Sequence, residues 1–191
     1  MNEMIIFPSS VCAIDMNKQV DFSKIESEAY KIKKKYPTDN KSNINSYQSV
    51  DLVSLNLANY PHIKKLLKLV NENIKVFASN KINFDVNISN AWVNITEPGG
   101  YQTQHDHPNS VFSGSITIKK PAGSGNIVFV RSDNAKYFIP QQYHNQADYT
   151  QTTTWFDVPE GSSLFFCSWE KHYVEQNCSN EDRITLNFNT K

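Results

Sequence analysis

The chain has little cysteine, little glycine, no long apolar run and no surplus of either charge, and each shortage closes off a class of protein. Its three cysteines, Cys12, Cys167 and Cys178, are an odd number at spacings that match no Cys-x-x-Cys pattern. Neither a disulfide framework nor a zinc ribbon is indicated, and free thiols in a reducing compartment are expected. No stretch approaches the roughly 20 apolar residues that cross a bilayer. The opening residues 1–11 lack the basic segment of a secretory leader, so a cytoplasmic protein without membrane attachment is expected. Lys and Arg together number 19, as do Asp and Glu, for a formal net charge of zero. A general nucleic-acid binder would carry a basic excess. The one local concentration, Lys31, Lys33, Lys34 and Lys35, reads as the solvated face of a helix.

What is present is enough for one core. The 191 residues are 39% hydrophobic and 12% aromatic, which fits a single domain spanning 1–191. Two helix signals fall within about residues 1–80. Ser23 and Glu26 have capping-box spacing, Ile25, Ala29, Ile32 and Tyr36 share a face, and Pro37 stops the run. The second helix starts at Tyr60-Pro61, with Ile63, Leu66, Leu67, Val70, Ile74 and Phe77 at three- and four-residue steps. Between them lies a polar loop with one short strand around 47–52.

From about residue 81 the pattern turns to strands. Runs 84–95, 111–118, 126–131, 153–158, 162–167 and 183–189 are short and rich in β-branched and aromatic residues. The turns expected between them include Glu97-Pro98-Gly99-Gly100, Pro121-Ala122-Gly123 and Pro159-Glu160-Gly161. In the last run Ile184, Leu186 and Phe188 alternate with Thr185, Asn187 and Asn189, which suits a barrel wall with a polar side lining a cavity. The expected fold is α+β but mainly β, a jelly-roll barrel over about 81–191 braced by N-terminal helices.

The residues with chemistry gather in this half. In His105-Asp106-His107 the two imidazoles project to one side of an extended segment and can reach one metal, while Asp106 projects away and is only a reserve ligand. A third ligand is expected from His172, just past the apolar strand 164–167. Neutral imidazoles suit iron, copper, nickel and zinc, so ligand type leaves the metal open. Arg183 and Thr185 share one face of a strand. A guanidinium and a hydroxyl there can grip the far carboxylate of a dicarboxylic keto acid whose other end chelates the metal. The plainer role for Arg183 is an ion pair with Glu181 or Asp182.

This order of residues resembles that of the 2-oxoglutarate and iron(II)-dependent oxygenases. The segments AWVNITEPGGYQTQHDHPNSVFSGSITI and FFCSWEKHYVEQNCSNEDRITLNFN are similar to a subgroup, found in marine bacteria and their viruses, that carries His-x-His-Pro, then Ser-Gly, then Arg-Ile-x-x-x-Phe-Asn. The resemblance covers about residues 90–189. It implies a double-stranded β-helix and a single oxygenase domain using iron(II), 2-oxoglutarate and O2, in the host cytoplasm if the source is viral. His105 and His172 match the family's first and last iron ligands, and Arg183, with Thr185, its 2-oxoglutarate anchor. His107 falls where most of the superfamily has Asp or Glu, which leaves the centre one charge more positive. Trp92, Asn94, Ser115 and Asn189 are candidates to face the pocket. The implied reaction is a dioxygenase hydroxylation of an unidentified substrate, with a peptide or protein preferred.

Two rivals remain at this point. A cupin-type metalloprotein would share the barrel and the His-x-His, but 108–118 contains no acidic residue and no His closely follows Gly161. A non-enzymatic β-sandwich module would make Tyr101, Trp155, Trp169 and Tyr173 a recognition face or plain core. The polar segment 132–151 is expected to form a lid, and its His144 is excluded from the ligands.

Overall fold

Helix α1, Phe22–Lys35, buries Ile25, Ala29 and Ile32 and leaves Lys31, Lys34 and Lys35 in solvent. Its N-cap is Asp21, whose carboxylate accepts from the Lys24 N–H at 3.3 Å and from Ser23 Oγ at 2.7 Å. The cap therefore sits two residues before the expected Ser23, because the charged Asp21 side chain reaches the free N–H groups and Ser23 serves it as a donor. Helix α2, Pro61–Ser79, has the expected buried stripe of Ile63, Leu66, Leu67, Val70, Ile74 and Phe77. Tyr60 at its N-cap makes no side-chain capping hydrogen bond. Glu28 of α1 substitutes: its carboxylate accepts from His62 N at 3.2 Å and Ile63 N at 2.9 Å, and lies 2.8 Å from His62 Nδ1. A buried anion on the positive end of α2 thus joins the two helices.

The computed structural model describes residues 9–38, 42–133 and 151–191. Apart from its ends, the expected lid 132–151, with His144, lies outside them. Nine strands form one curled antiparallel sheet: β1 Val11–Asp15, β2 Asn43–Gln48, β3 Ile88–His105, β4 Phe112–Lys119, β5 Ile127–Val130, β6 Thr153–Phe156, β7 Ser162–Cys167, β8 His172–Val174 and β9 Arg183–Thr190. Their order is β1-β7-β4-β9-β3-β8-β5-β6, with β2 added to β3. The mainly β jelly-roll expectation holds, and the N-terminal part adds β1 and β2 to its helices.

The segment Glu97–Gly100 does not end a strand, as the Pro-Gly-Gly composition suggested. It lies within β3, where Ile44 and Ser46 of β2 face Tyr101 and Thr96 respectively, so extra residues bulge from one side of the ladder. Gly99 takes φ +81°, a conformation that favours glycine, and a Cβ on Gly100 would lie 2.3 Å from the Asn45 carbonyl oxygen. Beyond the bulge β3 leaves β9 and pairs with β8, carrying the chain from one face of the barrel to the other.

Alternation gives each face its chemistry. Ala91, Val93 and Ile95 of β3, Ile116 and Ile118 of β4, and Ile184, Leu186 and Phe188 of β9 pack under the helices in the main core. The opposite faces of β3, β4 and β9 are polar and look into the barrel. Leu164, Phe166, Ile127, Phe129 and Val158 form a second, smaller core there. Cys12, Cys167 and Cys178 are free. Among the described residues no helix is long and apolar enough to cross a membrane.

Candidate metal centre

Three histidines meet where β3 and β8 pair. His105 ends β3 and His172 opens β8, and the two are register partners. His107 follows in the connection to β4. Ring centroids are separated by 4.4 Å for His105–His172, 5.2 Å for His105–His107 and 5.1 Å for His107–His172. One nitrogen of each ring lies within 4.8 Å of the others. The Nε2 atoms of His107 and His172 are 3.4 Å apart.

Hydrogen bonds set the tautomers of two rings. His105 Nδ1 is 2.7 Å from the Thr103 carbonyl oxygen, and His172 Nδ1 is 2.8 Å from that of Glu170. A carbonyl only accepts, so both Nδ1 atoms carry the proton and both Nε2 lone pairs are free. Burial pushes His107 down to about 4, with the nearness of His105 adding to it. Burial likewise holds His172 down at about 3, helped by His105. Both rings are therefore neutral at neutral pH, the form that binds metal. The donor set fits a divalent first-row metal, with coordination positions left over for a chelating ligand. Asp106 is exposed and outside this group, as alternation along an extended segment requires.

The pocket beneath the histidines is walled by Trp92 and Gln102 of β3, Ser115 and Thr117 of β4, and Arg183, Thr185 and Asn187 of β9, with Leu164, Phe166 and Val174 on the apolar side. Arg183 is 6% exposed, and its Nε has no hydrogen-bond partner. Its sequence neighbours are engaged elsewhere: Glu181 pairs with Lys119 at 3.0 Å, and Asp182 accepts from Tyr30 Oη at 2.8 Å. Among the described residues no carboxylate pairs with Arg183. Burial alone pulls its guanidinium down to about 10. This is an unneutralised buried cation on the same pocket as the histidines, and it fits an anionic ligand.

Of the other candidates, Trp92 and Ser115 line the pocket, and the Trp92 ring lies 5.9 Å from that of His107. Asn94 is the register partner of Thr185, and its Oδ1 is buried without a hydrogen-bond partner. Asn189 shares the polar face, and its Oδ1 accepts from Ser113. Sequence reasoning missed Gln102, Thr117 and Asn187. Asn187 was within reach, standing two residues from Thr185 on the same face and donating to its Oγ1 at 3.2 Å.

Comparison with known proteins fits this geometry. The sequence profile of a family described as "Putative 2OG-Fe(II) oxygenase" matches residues 90–189, just over half of the chain. No curated protein matches. Among solved structures, a prolyl hydroxylase from Trichoplax adhaerens, in complex with a hypoxia-inducible factor peptide fragment, gives a TM-score of 0.70 at 11% identity, over 94% of this chain and 82% of that one. The viral collagen prolyl hydroxylase of Paramecium bursaria Chlorella virus-1, with 2-oxoglutarate, gives 0.61 at 17% identity over 94% of each chain. HygX from Streptomyces hygroscopicus, with nickel and 2-oxoglutarate bound, gives 0.65 at 10% identity over 95% of this chain and 82% of that one. Identities this low speak for the double-stranded β-helix fold alone, and the match over 90–189 decides the family: the chain belongs to the 2-oxoglutarate and iron(II)-dependent oxygenases.

Proposed function

We propose that His105, His107 and His172 hold the iron(II) of this oxygenase through their inward nitrogens, and that Arg183 anchors the far carboxylate of 2-oxoglutarate. The observation that carries the reading is the buried, unneutralised Arg183 on the same pocket as the three rings. Thr185 beside it supplies a hydroxyl to the same carboxylate, and Asn94, with its unpartnered amide oxygen, borders that end. The iron with 2-oxoglutarate and O2 supplies the oxidising power: the keto acid leaves as succinate and carbon dioxide, and one oxygen atom enters the substrate as a hydroxyl.

The protein's own work is placement. Thr103 and Glu170 aim the two rings through their carbonyls. Leu164, Phe166 and Val174 give the pocket an apolar side that would limit water around a bound keto acid. With Arg183 and the histidines lining one pocket, a keto acid held by both would be oriented before it reacts.

For the substrate a peptide or protein is favoured. Prolyl hydroxylases stand among the structural neighbours, one of them bound to a peptide fragment. Trp169 lines a surface hollow together with His107 and is 57% exposed, and an exposed indole of this kind suits an extended peptide. A small polar metabolite is the second reading, favoured by the neighbour crystallised with hygromycin B.

The test is anaerobic addition of iron(II) and then 2-oxoglutarate to the metal-free protein, recording the visible spectrum. A weak charge-transfer band lost in Arg183→Ala and His172→Ala is expected. Iron binding without the band would return Arg183 to a structural role. Mass spectrometry of peptide mixtures after aerobic turnover then reads substrate gain of one oxygen atom.

A further inference from the structure

His107 differs from the other two rings. His105 and His172 each donate Nδ1–H to the carbonyl two residues before them. No such hydrogen bond orients the His107 ring among the described residues; Trp92 and Phe166 pack beside it, and its backbone fixes where it starts. Among the described residues one hydrogen bond holds that backbone: His107 N–H donates to the Ser168 carbonyl at 2.9 Å. Ser168 N–H in turn donates to the Val111 carbonyl at 3.1 Å. His107 and Val111 belong to the connection between β3 and β4, whereas Ser168 starts the connection from β7 to β8 that ends at His172. One residue clips the two connections together.

The side chain of Ser168 is fully buried and lies 2.7 Å from Ser113 Oγ, which lies 2.7 Å from Asn189 Oδ1. The direction follows from the donors. Asn189 Oδ1 only accepts, so Ser113 spends its one proton there, and Ser168 must donate to Ser113. The relay ends on β9, the strand that carries Arg183. Neither Ser168, Ser113 nor Asn189 lines the pocket or belongs to the histidine group. Buried hydroxyls stabilise a fold little better than apolar groups of the same shape, but they fix one arrangement where apolar contacts tolerate several.

We infer that Ser168, seated by Ser113 and Asn189, is a positioning residue for His107: it sets the spacing of His107 from His172 that metal binding requires. The inference rests on the metal-centre reading above. The probe is cobalt(II), titrated calorimetrically into metal-free wild type, Ser168→Ala, Ser113→Ala, the double variant and Ser168→Cys, each with its melting temperature. Ser46→Ala is the control, since Ser46 Oγ is also buried and contacts the Ile95 carbonyl at 3.1 Å and Thr96 Oγ1 at 3.2 Å. Loss of partners that orient a ligand weakens metal binding by about 10- to 100-fold. Each alanine variant should fall in that range, the double variant should lose less than the product of the two, and Ser168→Cys, which keeps the volume, should fall between. Ser46→Ala should melt lower yet bind cobalt as wild type does. Wild-type affinity in Ser168→Cys and Ser113→Ala, with lowered melting temperatures, would overturn the inference. Wild-type affinity in His107→Ala would overturn the metal-centre reading instead.

Discussion

Replacing Arg183 with methionine should make the metal-free protein more stable while removing its response to 2-oxoglutarate. Burial draws the guanidinium well below its ordinary value, to about 10, and each pH unit corresponds to about 1.4 kcal/mol. Keeping the charge buried therefore costs about 3 kcal/mol. Methionine reproduces the unbranched stem of arginine as far as Nε and carries no charge to desolvate. For a chain of this size, 1 kcal/mol moves the melting temperature by roughly 2–4 °C. A rise of about 6–12 °C is expected in Arg183→Met, measured by calorimetry without metal. In nickel-loaded wild type, 2-oxoglutarate at about 100 times its dissociation constant should add about 2.7 kcal/mol of stability, and this increment should vanish in the variant. A metal-free Arg183→Met that melts below wild type would refute the reasoning, because it would mean that Arg183 is paired and supports the fold.

Other expectations follow from the same geometry. His107 and His172 titrate near 4 and 3 in the folded protein against an ordinary 6.5, so on acidification the unfolded chain takes up their protons first. Stability of the metal-free protein should be full above about pH 6.5 and fall towards pH 4, by up to about 1.4 kcal/mol per pH unit for each ring; urea unfolding across this range should show the slope halved in His172→Asn. His107→Asp adds an anionic oxygen ligand and should strengthen manganese(II) relative to zinc(II), with an unchanged ratio of dissociation constants removing His107 from the ligand set. Glu28→Ala leaves the first N–H groups of α2 uncapped and should cost about 2–4 kcal/mol in denaturant titration. Cobalt affinity should stay as in wild type, since Glu28 lies in the helical layer away from the pocket.

How far the sequence could be read depended on the range of the physics involved. Alternation along a strand is local, so the polar face of β9 and the shared side of His105 and His107 were legible. The convergence of His172 was legible only through the order of motifs, since no local rule states that β8 pairs with β3. Composition misled at Glu97–Gly100: Pro-Gly-Gly reads as a turn, yet tertiary pairing with β2 and β8 carries the strand through it as a bulge. Asp21 displaced Ser23 as the cap because one turn offers several side chains to the same N–H groups. Glu28 was invisible as a cap for α2 because the two lie 34 residues apart. The isolation of Arg183 was likewise hidden, since it depends on Lys119 and Tyr30 engaging the carboxylates beside it.

The position of β9 bears on how the protein is made. It follows all the other strands in the chain yet lies at the middle of the sheet, pairing Asn90 with Asn189 on one side and Ser113 with Asn189 on the other. Contacts of such long sequence separation form slowly, because the intervening chain must be gathered before any ladder bond rewards it. Before residues 183–190 join, β3 and β4 face each other across an unfilled gap, with edges open to pairing with other chains. A nascent chain that has emerged only as far as residue 182 already has all three histidines and no finished sheet beside them, so on the proposed reading the iron site would be completed only when β9 joins.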